Sequence, residues 1–95
     1  MKFAFSNDLG IIAVGNDRGE IFIYDLFNLA KGSNLLRKYE LDKDQTPIRK
    51  MIITDDNKNI LLILSEKKKL FRFDLHSDND LMFKIRSRNL SITKK

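Results

Sequence analysis

An all-β fold of two four-stranded antiparallel units is what the sequence predicts, and three observations predict it. The apolar residues fall in short blocks rich in Ile, Leu and Phe, each bounded by turn-forming residues. No segment sustains a 3.6-residue apolar period over the ten or so residues that would argue for a helix. The block pattern also repeats: sliding the chain by 49 residues lays Ile11–Leu26 over Ile60–Leu75 without a gap.

The elements follow in order. Phe3 and Phe5 alternate with Lys2 and Ala4 and lead into the turn Ser6-Asn7-Asp8-Leu9-Gly10. Ile11–Val14 is a four-residue apolar strand that ends at Gly15-Asn16-Asp17-Arg18-Gly19, and Ile21–Tyr24 follows and closes on Asp25. Residues 26–34, with Lys31-Gly32-Ser33-Asn34, read as a long loop, and Leu35–Leu41 as a weaker fourth strand. After the polar turn Asp42–Pro47 the pattern restarts. Ile48–Ile53, Ile60–Leu64 and Leu70–Phe73 are strands, separated by the polar turn Thr54–Asn59 and the charged turn Ser65–Lys69. Beyond the polar loop His76–Asp80, Leu81–Arg86 reads as a last strand. There Leu81, Phe83 and Ile85 share one face, Lys84 and Arg86 take the other, and the chain frays past Arg88.

The superposed pairs of the repeat include Asn16/Ser65, Asp17/Glu66, Phe22/Phe71, Tyr24/Phe73, Asp25/Asp74 and Leu26/Leu75. Four of sixteen are identical, and most of the others are of like chemical character. One inserted residue also brings Ser6-Asn7-Asp8 over Thr54-Asp55-Asp56.

A four-stranded unit whose third strand ends in aromatic-Asp resembles a WD40 repeat. The run Ile12–Asp25, with Gly15, Asp17 and Gly19 in its turn and Tyr24-Asp25 at its end, carries the resemblance. Phe73-Asp74 ends the second unit in the same way, although Lys68 stands where the first unit has Gly19. The resemblance implies two WD40-like four-stranded blades of a partial β-propeller: residues 1–41, residues 42–88, and a basic C-terminal tail over 89–95. It also implies an aromatic packed between neighbouring blades and an Asp that caps a turn. Two blades cannot close a ring, which typically holds four to eight, so the missing blades come from a longer chain or from self-association. The Gly-His pair of standard repeats is absent from Asp42–Pro47.

Within that family the chain is similar to the Polycomb-type WD-repeat subunits, the embryonic ectoderm development and extra sex combs proteins. The Phe5–Leu26 run, the Ile48-Arg49 step and the arginine between two aromatics in Phe71-Arg72-Phe73-Asp74 carry that likeness. It implies a nuclear, non-catalytic scaffold that supports histone lysine methylation, with a histone methyltransferase complex as protein partner; without it the expectation is cytoplasmic. A methyl-lysine cage needs aromatic faces around the cation, and the family's cage does not carry over, since its Trp-Tyr pair aligns near Met1 and Lys2.

Charge adds a second candidate surface. Residues 1–80 hold thirteen Lys/Arg and all thirteen Asp/Glu, so the net +5 resides in Lys84, Arg86, Arg88, Lys94 and Lys95. A basic C-terminal strand with Lys84, Arg86 and Arg88 defines the alternative function, a small β-domain that binds nucleic acid or an anionic surface. Arg49 and Glu66, at the start of one strand and the end of its neighbour, are expected to pair at a shared rim and present a charged edge to a partner.

Other chemistry is not predicted. With no cysteine and His76 as the only histidine, thiolate metal sites, disulfides and catalytic His pairs are excluded. Asp55, Asn57, Asn59 and Glu66 take the spacing of a calcium loop, but Ile60 stands where its sharp turn requires glycine. Gly15 to Gly19 opens no helix, as a phosphate loop would. No cofactor, no membrane partner and no enzymatic activity are therefore expected, and the longest apolar run, Ile60–Leu64, is far short of a membrane span.

Overall fold

Within each half of the chain, every apolar strand pairs with its successor. The computed structural model describes the backbone of residues 1–27 and 34–93, and side chains as far as Ser87. Strands β1 (Lys2–Ser6), β2 (Ile11–Gly15), β3 (Glu20–Asp25) and β4 (Leu35–Glu40) form one antiparallel sheet in chain order. Strands β5 (Ile48–Ile53), β6 (Ile60–Ser65) and β7 (Leu70–Asp74) form a second. The predominantly β fold follows the sequence expectation. Most of the loop expected over 26–34 lies outside the described residues.

The two units are built alike down to the register. In the first, Ile11 pairs with Asp25, Ile12 with Tyr24 and Gly15 with Ile21. In the second, Ile60 pairs with Asp74, Leu61 with Phe73 and Leu64 with Leu70, the same pairs displaced by 49. The connecting turns share their hydrogen bonds as well. The Asn16 N–H donates to Glu20 O at 3.1 Å, and the Ser65 N–H to Lys69 O at 2.9 Å. Asn16 Oδ1 accepts from the Glu20 N–H at 3.0 Å, as Ser65 Oγ does from the Lys69 N–H at 3.2 Å. Gly19 (φ +71°) and Lys68 (φ +64°) both take the left-handed conformation that the turn demands.

Two expectations are corrected at the C-terminal end. The second sheet has three strands, with no fourth among the described residues. The segment read as a last strand, Leu81–Arg86, belongs to helix α1 (Asn79–Thr93), which follows a 3₁₀ turn at Leu75–Ser77. The helix begins where Asp78 caps it: its Oδ1 accepts the Leu81 N–H at 3.0 Å, and its carbonyl accepts the Met82 N–H at 3.0 Å. The buried face is Leu81, Met82 and Ile85, a helical spacing, while Phe83 is 68% exposed. The helix also continues through residues 89–93, where fraying was expected, so the boundary drawn at residue 88 falls inside it.

The core lies between the sheets. Ala4, Ile11, Ala13, Ile21 and Ile23 of the first face Ile48, Met51, Leu61 and Ile63 of the second, with Leu75, Leu81, Met82 and Ile85 closing one side. The approach is close at Gly15, where a Cβ would come within 2.6 Å of Ile48 Cδ1 and 3.2 Å of Met51 Sδ. A side chain there would force the ends of Ile48 and Met51 to move.

Candidate interaction surface

Alternation along a strand sends every second side chain away from the core. In most antiparallel sheets that outward set is polar, and here much of it is not. On the first sheet the register aligns Phe3, Val14, Phe22 and Lys38 in one outward row, and Phe5, Ile12, Tyr24 and Leu35 in the next. Phe5 is 58% exposed. On the second sheet the outward rows are Lys50, Leu64, Leu70 and Ile52, Leu62, Arg72. Lys50, Ile52, Leu62, Leu64 and Leu70 line an open apolar depression of about 230 Å³, and Leu70 is 70% exposed. The sandwich therefore shows an apolar face on each side.

Charge borders both faces. Lys38 reaches Glu20 at 2.9 Å and Glu40 at 3.6 Å, with its ammonium 5.6 Å from the centre of the Phe22 ring. Hydrogen bonds from Lys38 first and Asn16 second hold the Glu20 carboxyl below its usual range. The second sheet's outward face carries cations, Lys50 and Arg72.

A second feature is the clasp between the first sheet and the C-terminal segment. Asp78 receives Arg37 Nε at 2.8 Å and the Tyr39 hydroxyl, and Lys84 Nζ donates to Leu36 O at 2.9 Å. Tyr39 also stacks on Phe73, ring centres 4.9 Å apart. Burial, and then the hydrogen bond to Asp78, push the Tyr39 phenol up. Burial pushes the Asp78 carboxyl up, but Tyr39, the Leu81 N–H and Arg37 together hold it below the usual range.

At one rim, Phe5–Asp8 and Ile53–Asn59 border a polar cleft of about 310 Å³. Buried Asn59 accepts the Ser6 hydroxyl at 2.7 Å, and its Nδ2 lies 3.2 Å from His76 Nε2. This chain of bonds joins both sheets to the 3₁₀ turn.

The repeat-signature residues fall as follows. Asp25 Oδ1 accepts the Phe27 N–H at 2.9 Å and Asp74 Oδ1 the His76 N–H at 3.1 Å, the same turn cap in both units. Phe73 packs between the sheets against Tyr39, whereas its counterpart Tyr24 lies in the outward face, half-buried. Gly15 lies where Ile48 and Met51 approach its strand, Gly19 makes the turn, and Asp17 is exposed in it.

The predicted partner-binding residues are scattered. Arg49 and Glu66 share one rim, where the Glu66 N–H donates to Pro47 O at 2.9 Å, but among the described residues no ion pair joins them. Lys84 is held by Asp80 at 3.3 Å and by the Leu36 carbonyl. Arg86 is exposed on α1, and the Arg88 side chain lies outside the described residues. The strand that was to set Lys84 and Arg86 on one face is therefore replaced by a helix, which spaces them differently.

Among the described residues, no group of three or more His, Cys, Asp or Glu side chains could hold a metal ion. No helix of the described residues is long and apolar enough to cross a membrane. The outward faces and the clasp were missed in the sequence reading; the run of both odd and even apolar positions in Ile60–Leu64 was their one visible signal. Comparison with protein-family models, curated proteins and solved structures finds no match for the chain.

Proposed function

We propose that the chain is a non-catalytic WD40-type interaction scaffold of the Polycomb kind, working with a histone methyltransferase complex in the nucleus. The observation that carries this reading is the pair of outward apolar faces, one on each side of a repeated β unit. Extended apolar faces are uncommon on the surfaces of monomers and mark sites of interaction. The matched turn caps at Asp25 and Asp74, and Phe73 packed between the sheets, support the WD40 element of the reading. Arg72, between the two aromatics of β7, supports the Polycomb element.

The test is purification of the endogenous polypeptide through an epitope placed after Lys95, with its mass and its partners read together. Co-purification of a lysine methyltransferase, lost in a Phe22→Glu variant that remains folded, is the expected result. A folded polypeptide that brings down no methyltransferase from nuclear extract would overturn the Polycomb assignment.

A further inference from the structure

The two sheets do not meet through like faces. Residues related by the repeat take opposite faces of the sandwich: those that point inward in one sheet correspond to those that point outward in the other. The inward residues Ala13, Gly15 and Ile23 of the first sheet correspond to the outward residues Leu62, Leu64 and Arg72 of the second. Conversely, the outward residues Val14, Phe22 and Tyr24 of the first correspond to the inward residues Ile63, Phe71 and Phe73 of the second. The seam within the chain is therefore front against back of one repeated unit. Each remaining face has its match on the opposite side of the same molecule.

We propose that the occupant of each outward face is a second copy of this chain, stacked head to tail, with the first sheet of one copy against the second sheet of the next. The contact repeats the internal seam with equivalent residues. Where Met51 of the second sheet lies against the strand of Gly15, its counterpart Phe3 lies against the strand of Leu64 in the neighbouring copy. Charge agrees: on one face Glu20 and Glu40 outnumber the Lys38 between them, while the outward rows of the other carry Lys50 and Arg72 and no acid. Two copies meeting through the second sheet's face would instead oppose like charges. A front-to-back contact is heterologous, and it closes into a ring or continues as an open stack. A ring of roughly four to eight sheets takes about two to four copies. The inference draws on the same outward faces that carry the scaffold reading, and its test uses the purified chain with no methyltransferase present, so its failure is read separately from the failure of that reading.

Sedimentation velocity of the purified 95-residue chain, unaltered and in two variants, tests it. Phe5→Glu blocks the first sheet's outward face and Ile52→Glu the second's; both side chains are exposed, and circular dichroism verifies folding. The unaltered chain is expected to associate at tens of micromolar and each variant to sediment as monomer. An equimolar mixture should form a dimer, because each variant keeps the face that the other lacks. A monomeric unaltered chain, whose faces another polypeptide would then cover, overturns the proposal. So does a pattern in which one variant still self-associates and mixing restores nothing, since that marks a like-face contact.

Discussion

Gly19 and Lys68 occupy the same left-handed position in the two units, so replacing each with the other's type of residue should move stability in opposite directions. At φ +64° the Lys68 backbone carries the steric cost of an L-residue in that region, about 1–2 kcal/mol. Lys68→Gly relieves it and adds about 0.5–1 kcal/mol of unfolded-chain entropy on the other side. The net expectation is stabilisation by roughly 0.5–1 kcal/mol, or a Tm rise of about 2–8 °C for a domain of this size. At Gly19 the same exchange runs in reverse and meets an obstacle besides: an added Cβ would sit 2.8 Å from the Thr46 carbonyl oxygen, a backbone atom that cannot swing away. Gly19→Ala should therefore cost about 1–4 kcal/mol, strain and overpacking combined. Urea denaturation at neutral pH, followed by circular dichroism, measures both, with Lys68→Ala as the control that removes the lysine but keeps the strain. If Lys68→Gly proves no more stable than Lys68→Ala, the backbone-strain account of this turn is wrong.

Leu61 is fully buried between the sheets, and Leu61→Ala should cost about 2–5 kcal/mol with an unchanged urea m-value. Tyr39→Phe keeps the stack on Phe73 but removes the hydroxyl that donates to Asp78; calorimetry should show a loss of about 1.5–3 kcal/mol. Because Asp78 titrates lower in the folded than in the unfolded chain, its contribution is complete above the unfolded value of about 3.9 and is lost as pH falls through the folded one. Asp78→Asn, which keeps a capping side chain, should therefore flatten the acid side of a plot of stability against pH; an unaltered slope would count against the clasp.

Both hairpins were legible because their signals are local. Asn16, Gly19 and Ser65 specify turns within five residues, and the β-branched runs beside them have no competing period. The register of β6 and β7 could even be transferred from β2 and β3 by the repeat. The C-terminal helix was not legible because Leu81, Phe83 and Ile85 alternate like a strand while Leu81, Met82 and Ile85 follow a helix, and a segment as short as Leu81–Arg86 cannot separate those periods. The better clue was Asp78, a cap residue followed by Asp80 and Lys84 four apart. The clasp could not be read at all, since Tyr39 and Asp78 meet only once two sheets are stacked. Whether the outward rows face solvent or a neighbour is likewise a property of the stack: the apolar run Ile60–Leu64 signals two covered faces without saying by what.

The clasp also sets the order in which the chain can acquire its structure. Each hairpin closes over a handful of residues, which takes microseconds, and nothing in one hairpin waits for the other. Asp78 and Lys84, by contrast, find Tyr39 and Leu36 across 39 and 48 residues of chain, a closure whose entropic cost falls due before its contacts form. Helix docking is thus the step expected to limit the folding rate, and it closes the side of the core that both β units share. Weakening Tyr39 or Asp78 should therefore slow folding more than it speeds unfolding, a division that stopped-flow kinetics can read.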